Sequence, residues 1–131
     1  MELNVLTYNN YGLPEITADD DSLLHFVVAF NDVAETVHDT AVEKGWWDDN
    51  REDGTCIALM HSELSEALEA LRNNAVSDKL PEFHGVEEEL ADTIIRIMDY
   101  AEHNNLRVAE ALEAKVKYNK NRTYKHGGKK F

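Results

Sequence analysis

Two pairs of carboxylates, Glu63 with Glu66 and Glu89 with Asp92, have a spacing that lets acidic side chains act together. The members of each pair are three residues apart, and on a helix such residues point the same way. Two antiparallel helices with one pair each can therefore present four carboxylates to one point between them. At about 100° per residue, Leu59 and Ala70 fall on one side of Glu63, and Ala67 and Met60 on the other, leading into Leu71, Leu64, Ile57 and Leu68. Glu63 thus sits inside an apolar arc, and Glu66 at its edge. A carboxylate in such a place must be protonated, paired or bound to a cation, because burying it bare is very costly.

Glu89 and Asp92 lie beside a wide apolar arc that includes Val86, Leu90, Ile94, Ile97 and Met98. For them a solvated face is the plain alternative, and Arg96, four residues on, can pair with Asp92 at the surface. E-x-x-E is also a common accident on helices, so the second pair is what gives the first its meaning. Oxygen-only donors favour Mg²⁺, with Mn²⁺ as a substitute, over zinc. Facing carboxylates in a helical bundle are an established way to build such a site.

Four helical segments must position these groups. The first, over 22–44, follows the Thr17–Asp21 capping cluster and is apolar at Leu23, Phe26, Val27, Phe30, Ala34, Val37 and Ala41. Gly45 stands where a helix stops. A polar loop with Trp46 and Trp47 leads to a second helix over 55–74. A connector containing Pro81 leads to a third over 86–104, and a fourth covers 107–121. No alternating run of β-branched residues suggests a sheet. The expectation is an all-α four-helix bundle with a metal site between two antiparallel helices. It forms a single domain over 1–131, with an N-terminal arm at 1–20 and a basic tail at 122–131.

Charge is spread unevenly. Residues 1–106 carry 5 basic and 24 acidic side chains, a balance of −19, whereas 107–131 carry 8 basic and 2 acidic, a balance of +6. An acidic body repels a nucleic-acid backbone. An acidic body with a basic tail suits a bound cation and a small polyanion, or the charge simply keeps the body in solution and the tail solvated. No apolar run approaches the roughly 20 residues that span a bilayer, and the first residues lack the pattern of a signal peptide. With Cys56 as the one cysteine, neither a disulfide nor a zinc cluster is expected, and a cytoplasmic location is the default.

The run Glu63-Leu64-Ser65-Glu66-Ala67-Leu68-Glu69, followed after one connector by Glu87-Glu88-Glu89-Leu90-Ala91-Asp92, resembles the MazG-like all-α nucleoside triphosphate pyrophosphohydrolases. That superfamily is marked by E-x-x-E on one helix and E-x-x-D on the next. The tail from Lys115 through Asn119, Arg122, Tyr124 and Lys125 also resembles the ending of a MazG-like subgroup. The resemblance covers residues 55–131 and weakens before them. It implies a homodimer or homotetramer that cleaves nucleoside triphosphates between the α and β phosphates, releasing the monophosphate and pyrophosphate. It makes Glu63, Glu66, Glu89 and Asp92 the Mg²⁺ ligands. Lys115, Asn119, Arg122, Tyr124 and Lys125 become candidates for contact with phosphate or sugar. Glu66, in preference to Glu63, would take the proton of the attacking water. Lys115 or Arg122 would stabilise charge growing on the phosphate chain.

Other side chains carry two readings each. Trp46 or Trp47 can stack on a nucleobase, or serve as core and interface. Asn31 and His38, seven apart on the first helix, share a face that can line a base pocket or lie at a surface. His61 beside the acidic motif reads as an exposed histidine, and Cys56 as a small buried residue. Lys125 to Lys130 around Gly127-Gly128 can fold over a triphosphate or fray. Two rivals to the enzyme stand beside it. One is an acidic helical interaction protein that docks a basic partner. The other is a hydrolase of some other nucleotide phosphoanhydride.

Overall fold

The computed structural model describes residues 20–122, and among them it contains four helices: α1 (Asp20–Glu43), α2 (Asp53–Arg72), α3 (Gly85–His103) and α4 (Val108–Lys120). Each lies within two residues of its expected bounds. Among the described residues the only β pairing is an isolated bridge between Val76 and His84, so the fold is all-α. No helix is long and apolar enough to cross a membrane among these residues. Nearly all of the expected arm and basic tail, with Tyr124 and Lys125, lies outside the described residues.

Three of the four helices end in the same way, and the ends set the turns that follow. Past α1, Gly45 takes φ +83°, with Gly45 N–H on the Val42 carbonyl and Trp46 N–H on that of Ala41. Asn74 and Asn105 take φ 49° and 53° after α2 and α3, and Ala75 and Leu106 donate back to Ala70 and Ala101. This is the Schellman pattern, in which a left-handed residue closes the last turn and satisfies the orphaned carbonyls. Asparagine tolerates that conformation better than most side chains do.

α2 and α3 form a tight antiparallel hairpin. Opposed pairs fix the direction: Ala70 meets Gly85 near the turn, Glu63 meets Arg96 midway, and Asp53 meets Tyr100 at the far end. At Gly85 a Cβ would come within 3.0 Å of the Ala70 Cβ, so glycine permits the approach. The connector is self-bonded. Gly85 N–H donates to the Ala75 carbonyl, Ser77 N–H to that of Phe83, and Leu80 N–H to the buried Ser77 hydroxyl. These bonds set the register that carries one acidic pair opposite the other.

α3 is the central element, packed against both α1 and α2, while α4 leans on α1. The core joins Val27, Phe30 and Ala34 of α1 to Met98 of α3 and Ala109 of α4. Among the described residues it is small. Meanwhile Ile57, Leu64, Leu68 and Leu71 of α2, and Leu90 and Ile94 of α3, are exposed at 42–62%. The four α2 residues fall within about 60° of one another around the helix, forming a continuous apolar stripe.

A candidate metal centre beside a cationic cleft

The acidic run that opens α3 is divided among three jobs. Glu87 accepts the backbone N–H of His84 at 2.8 Å and so caps the helix. Glu88 pairs with Lys79 at 3.7 Å. That leaves Glu89, with Asp92 one turn on, facing α2. Across the hairpin Glu63 is buried, at 7% exposure, and the carboxylate oxygens of Glu63, Glu89 and Asp92 can lie within 4.8 Å of one another. Glu66, more exposed, exchanges side-chain hydrogen bonds with Glu63 and Glu89. All four acids singled out in the sequence are brought together.

Their electrostatics follow from crowding. Burial pushes Glu89 up, and Glu63, Glu66 and Asp92 add to it, to a pKa of about 7. Asp92 is raised by burial and by the charges of Glu63 and Glu88, and Glu66 by its hydrogen bond to Glu63 and that carboxylate's charge. Glu63 goes the other way. Burial works against its charge, but hydrogen bonds from Arg96, Glu66 and Glu89 outweigh it and hold the carboxyl below its ordinary value. Arg96 is the reason: its Nε–H donates to Glu63 Oε1 at 2.6 Å.

The donor set suits a hard divalent ion. Mg²⁺ binds oxygen at about 2.0–2.1 Å, which puts opposite ligands about 4 Å apart. Three oxygens cannot all be opposite one another, and adjacent ligands sit about 3 Å apart, so oxygens gathered within 4.8 Å would draw inward by up to about 2 Å to ring such an ion.

One side of this cage opens into a cleft of about 390 Å³, within the range of small-ligand sites. Glu63, Asp92 and Asp99 supply its acidic lining, and Lys44, Arg51, Lys79 and Arg96 its cations. Trp46 also lines it and is 55% exposed, with the Arg51 and Arg96 guanidinium carbons 5.5 and 5.9 Å from its ring centroid. Trp47 is occupied. Its ring stacks on His103 at 3.6 Å and 6°, Arg51 lies 4.8 Å from its centroid, and its Nε1–H donates to Asp99 at 2.9 Å. His38 also donates to Asp99, through Nδ1 at 2.7 Å. A carboxylate has no proton to give, so Nδ1 carries it. Asp99 thereby clamps α1 and the tryptophan loop to α3.

The remaining candidates lie elsewhere on this chain. Asn31 donates to Glu110 at 3.0 Å, tying α1 to α4. Lys115 sits 4.7 Å over the Tyr118 ring on α4. Asn119 and Arg122 close the end of that helix through the Arg122 N–H to Asn119 carbonyl bond. None of these lines the cleft. His61 is exposed and Cys56 buried.

Arg96 spans the hairpin to Glu63, so the plain alternative of a surface pair with Asp92 is not what forms. Lys44, Arg51, Lys79, Asp99 and His103 were not singled out from the sequence at all. A signal existed for α3, where Glu89, Asp92, Arg96, Asp99 and His103 follow a 3-4-3-4 spacing. That is the period of a packing seam, filled here with polar groups. Lys44, Arg51 and Lys79 have no such mark, since they come from the end of α1, the loop beyond it and the α2–α3 connector.

Comparison with protein families, curated proteins and solved structures finds no match to the chain.

Proposed function

We propose that the protein is a Mg²⁺-dependent nucleoside triphosphate pyrophosphohydrolase of the MazG-like kind, releasing the monophosphate and pyrophosphate. The observation that carries this reading is the buried Glu63 within reach of Glu89 and Asp92 across the hairpin, opening into a cleft that pairs cations with an exposed indole. An acidic protein that docks a basic partner would spread its carboxylates over outer faces; this one gathers four of them at an inner seam. The motif resemblance supplies the choice of triphosphate.

Glu63, Glu89 and Asp92 would hold the ion, which when bound offsets phosphate charge and acidifies a water. Glu66 stands outside the tightest trio and keeps its oxygens for the proton of the attacking water. Arg51 and Lys79 face the same cleft and would stabilise the leaving pyrophosphate. Trp46, the tryptophan with the more exposed ring, offers a stacking surface for a base, worth roughly 1–3 kcal/mol.

The exposed stripe Ile57, Leu64, Leu68 and Leu71, continued by Leu90 and Ile94, would be covered by a second copy of the chain, giving a homodimer or a dimer of dimers. Lys115, Asn119 and Arg122 would then reach substrate from the neighbouring copy, since their own α4 lies apart from the cleft.

The test is a screen of common and damaged triphosphates with Mg²⁺, scoring pyrophosphate against orthophosphate. Wild type should release pyrophosphate, and Glu63→Gln and Asp92→Asn should abolish it with helix content kept. Full activity in both variants rules out the cage; orthophosphate as the product rules out cleavage at the α–β bond.

A further inference from the structure

Positive charge already sits in the cage. Arg96 reaches Glu63 from α3, its side chain 27% exposed and that of Glu63 only 9%. The same guanidinium lies 5.9 Å from the Trp46 ring centroid and lines the cleft. In one conformation it thus meets both the Glu63 carboxylate and the cleft beside Trp46. Without a divalent ion the bond to Glu63 is kept, because the crowded acids repel one another's charge and a guanidinium relieves them. A divalent ion on Glu63 would place a like charge against that guanidinium at contact distance, where repulsion is strong. A planar fork released into the cleft finds its best partner in a phosphate or another oxyanion, which it can hold by two parallel bonds.

We propose that Arg96 is a positioning residue that holds Glu63 in the metal-free protein, yields it to the divalent ion, and stays in the cleft beside Trp46 to take the anionic part of the ligand. This rests on the metal-dependent reading above. It makes metal and polyanion bind cooperatively, since each ligand stabilises the arrangement of Arg96 that the other needs. It also assigns to α3 a cation that the resemblance left to the C-terminal residues.

The test is Mn²⁺ binding to the full chain, followed by calorimetry and by electron paramagnetic resonance, without nucleotide and with a non-hydrolysable triphosphate. Arg96→Gln should bind Mn²⁺ alone about tenfold more tightly than wild type, since the ion no longer displaces a charged hydrogen bond. Lys79→Gln removes the same charge from the cleft but touches Glu88 instead of Glu63, and should tighten binding far less. The triphosphate should raise Mn²⁺ affinity in wild type and do so much less in Arg96→Gln. Equal tightening in both variants, or none in Arg96→Gln, overturns the proposal and leaves the metal site standing. Absence of Mn²⁺ binding in wild type and both variants overturns the metal-dependent reading as well. A second measurement does not depend on the glutamine variant folding: the Arg96 Nε–H resonance, assigned by its loss in Arg96→Lys. It should shift and lose exchange protection when Mg²⁺ is added to wild type. An unmoved resonance under conditions where Mn²⁺ binds overturns the displacement.

Discussion

Arg96 lies one helical turn beyond Asp92, yet its guanidinium is 2.6 Å from Glu63, thirty-three positions away on the facing helix. The hairpin thus gives its most buried acid a cation and leaves Glu89 and Asp92 crowded by their own kind. The two sides of the cage should therefore respond oppositely to loss of charge.

Removing the charge at Glu63 should weaken the metal-free fold, because its depressed pKa means the native surroundings favour the carboxylate. Glu63→Gln is expected to cost about 1–2 kcal/mol through the weakened charged hydrogen bond to Arg96, and so lower the melting temperature by several degrees. Glu89→Gln at pH 8 should raise it, since it removes a repelled charge. Calorimetry without metal reads both signs; a stabilised Glu63→Gln would contradict the arrangement.

Acidity should matter between pH 4.5 and about 7. The folded Glu89 keeps its proton up to about pH 7, against 4.5 for an ordinary glutamate, so in this window the folded state binds more protons than the unfolded one. Stability in chelator is therefore expected to fall as pH rises from 4.5 to 7, with Glu66 and Asp92 acting in the same sense. Glu63 adds the opposite trend, but only below its ordinary value of 4.5. Mg²⁺ should lift the high-pH end of the curve, and Glu89→Gln should flatten it. Denaturant unfolding at stepped pH, with and without Mg²⁺, gives the comparison.

Gly45 carries the turn that delivers Trp46 to the cleft and Trp47 to Asp99 and His103. Its φ of +83° is costly for any side chain, and a Cβ there would lie 2.9 Å from Asp48 Oδ2. Gly45→Ala is expected to cost about 1–2 kcal/mol, and to redshift Trp47 emission as its packing on His103 loosens. A melting curve and a fluorescence spectrum suffice; an unchanged melting temperature would show that the turn relaxes freely.

The apolar stripe on α2 predicts self-association. Leu68, 53% exposed, lies within it and away from the acidic seam. Leu68→Glu should lower the mass seen by sedimentation equilibrium to that of one chain, while the circular dichroism of the helices persists. A wild-type chain that is already a monomer at micromolar concentration would remove this prediction, along with the route by which Lys115 meets substrate.

The helices were legible before any coordinates because their evidence is local. The apolar period over α1, the stop at Gly45 and the doubled acidic spacing each act within a few turns of chain. Glu63 could be marked as an anomaly on the same ground, since an acid inside an apolar arc is conspicuous on one helix alone. Asn74 and Asn105, which end α2 and α3 in left-handed turns, were less visible, because asparagine serves many other roles.

Local periodicity, then, was enough for the all-helical class and for the four acids as a group. Which cation answers which acid was decided only when the α2–α3 connector set the register and brought Arg96 across to Glu63 in place of Asp92. The cleft needed more still, as Lys44, Trp46 and Arg51 come from the end of α1 and the loop beyond it, Lys79 from the connector, and Asp99 from the third helix. Hydrophobic spacing specifies how a helix turns its face, but charge pairs form between whichever faces packing brings within a few ångströms, and chain position does not encode that distance.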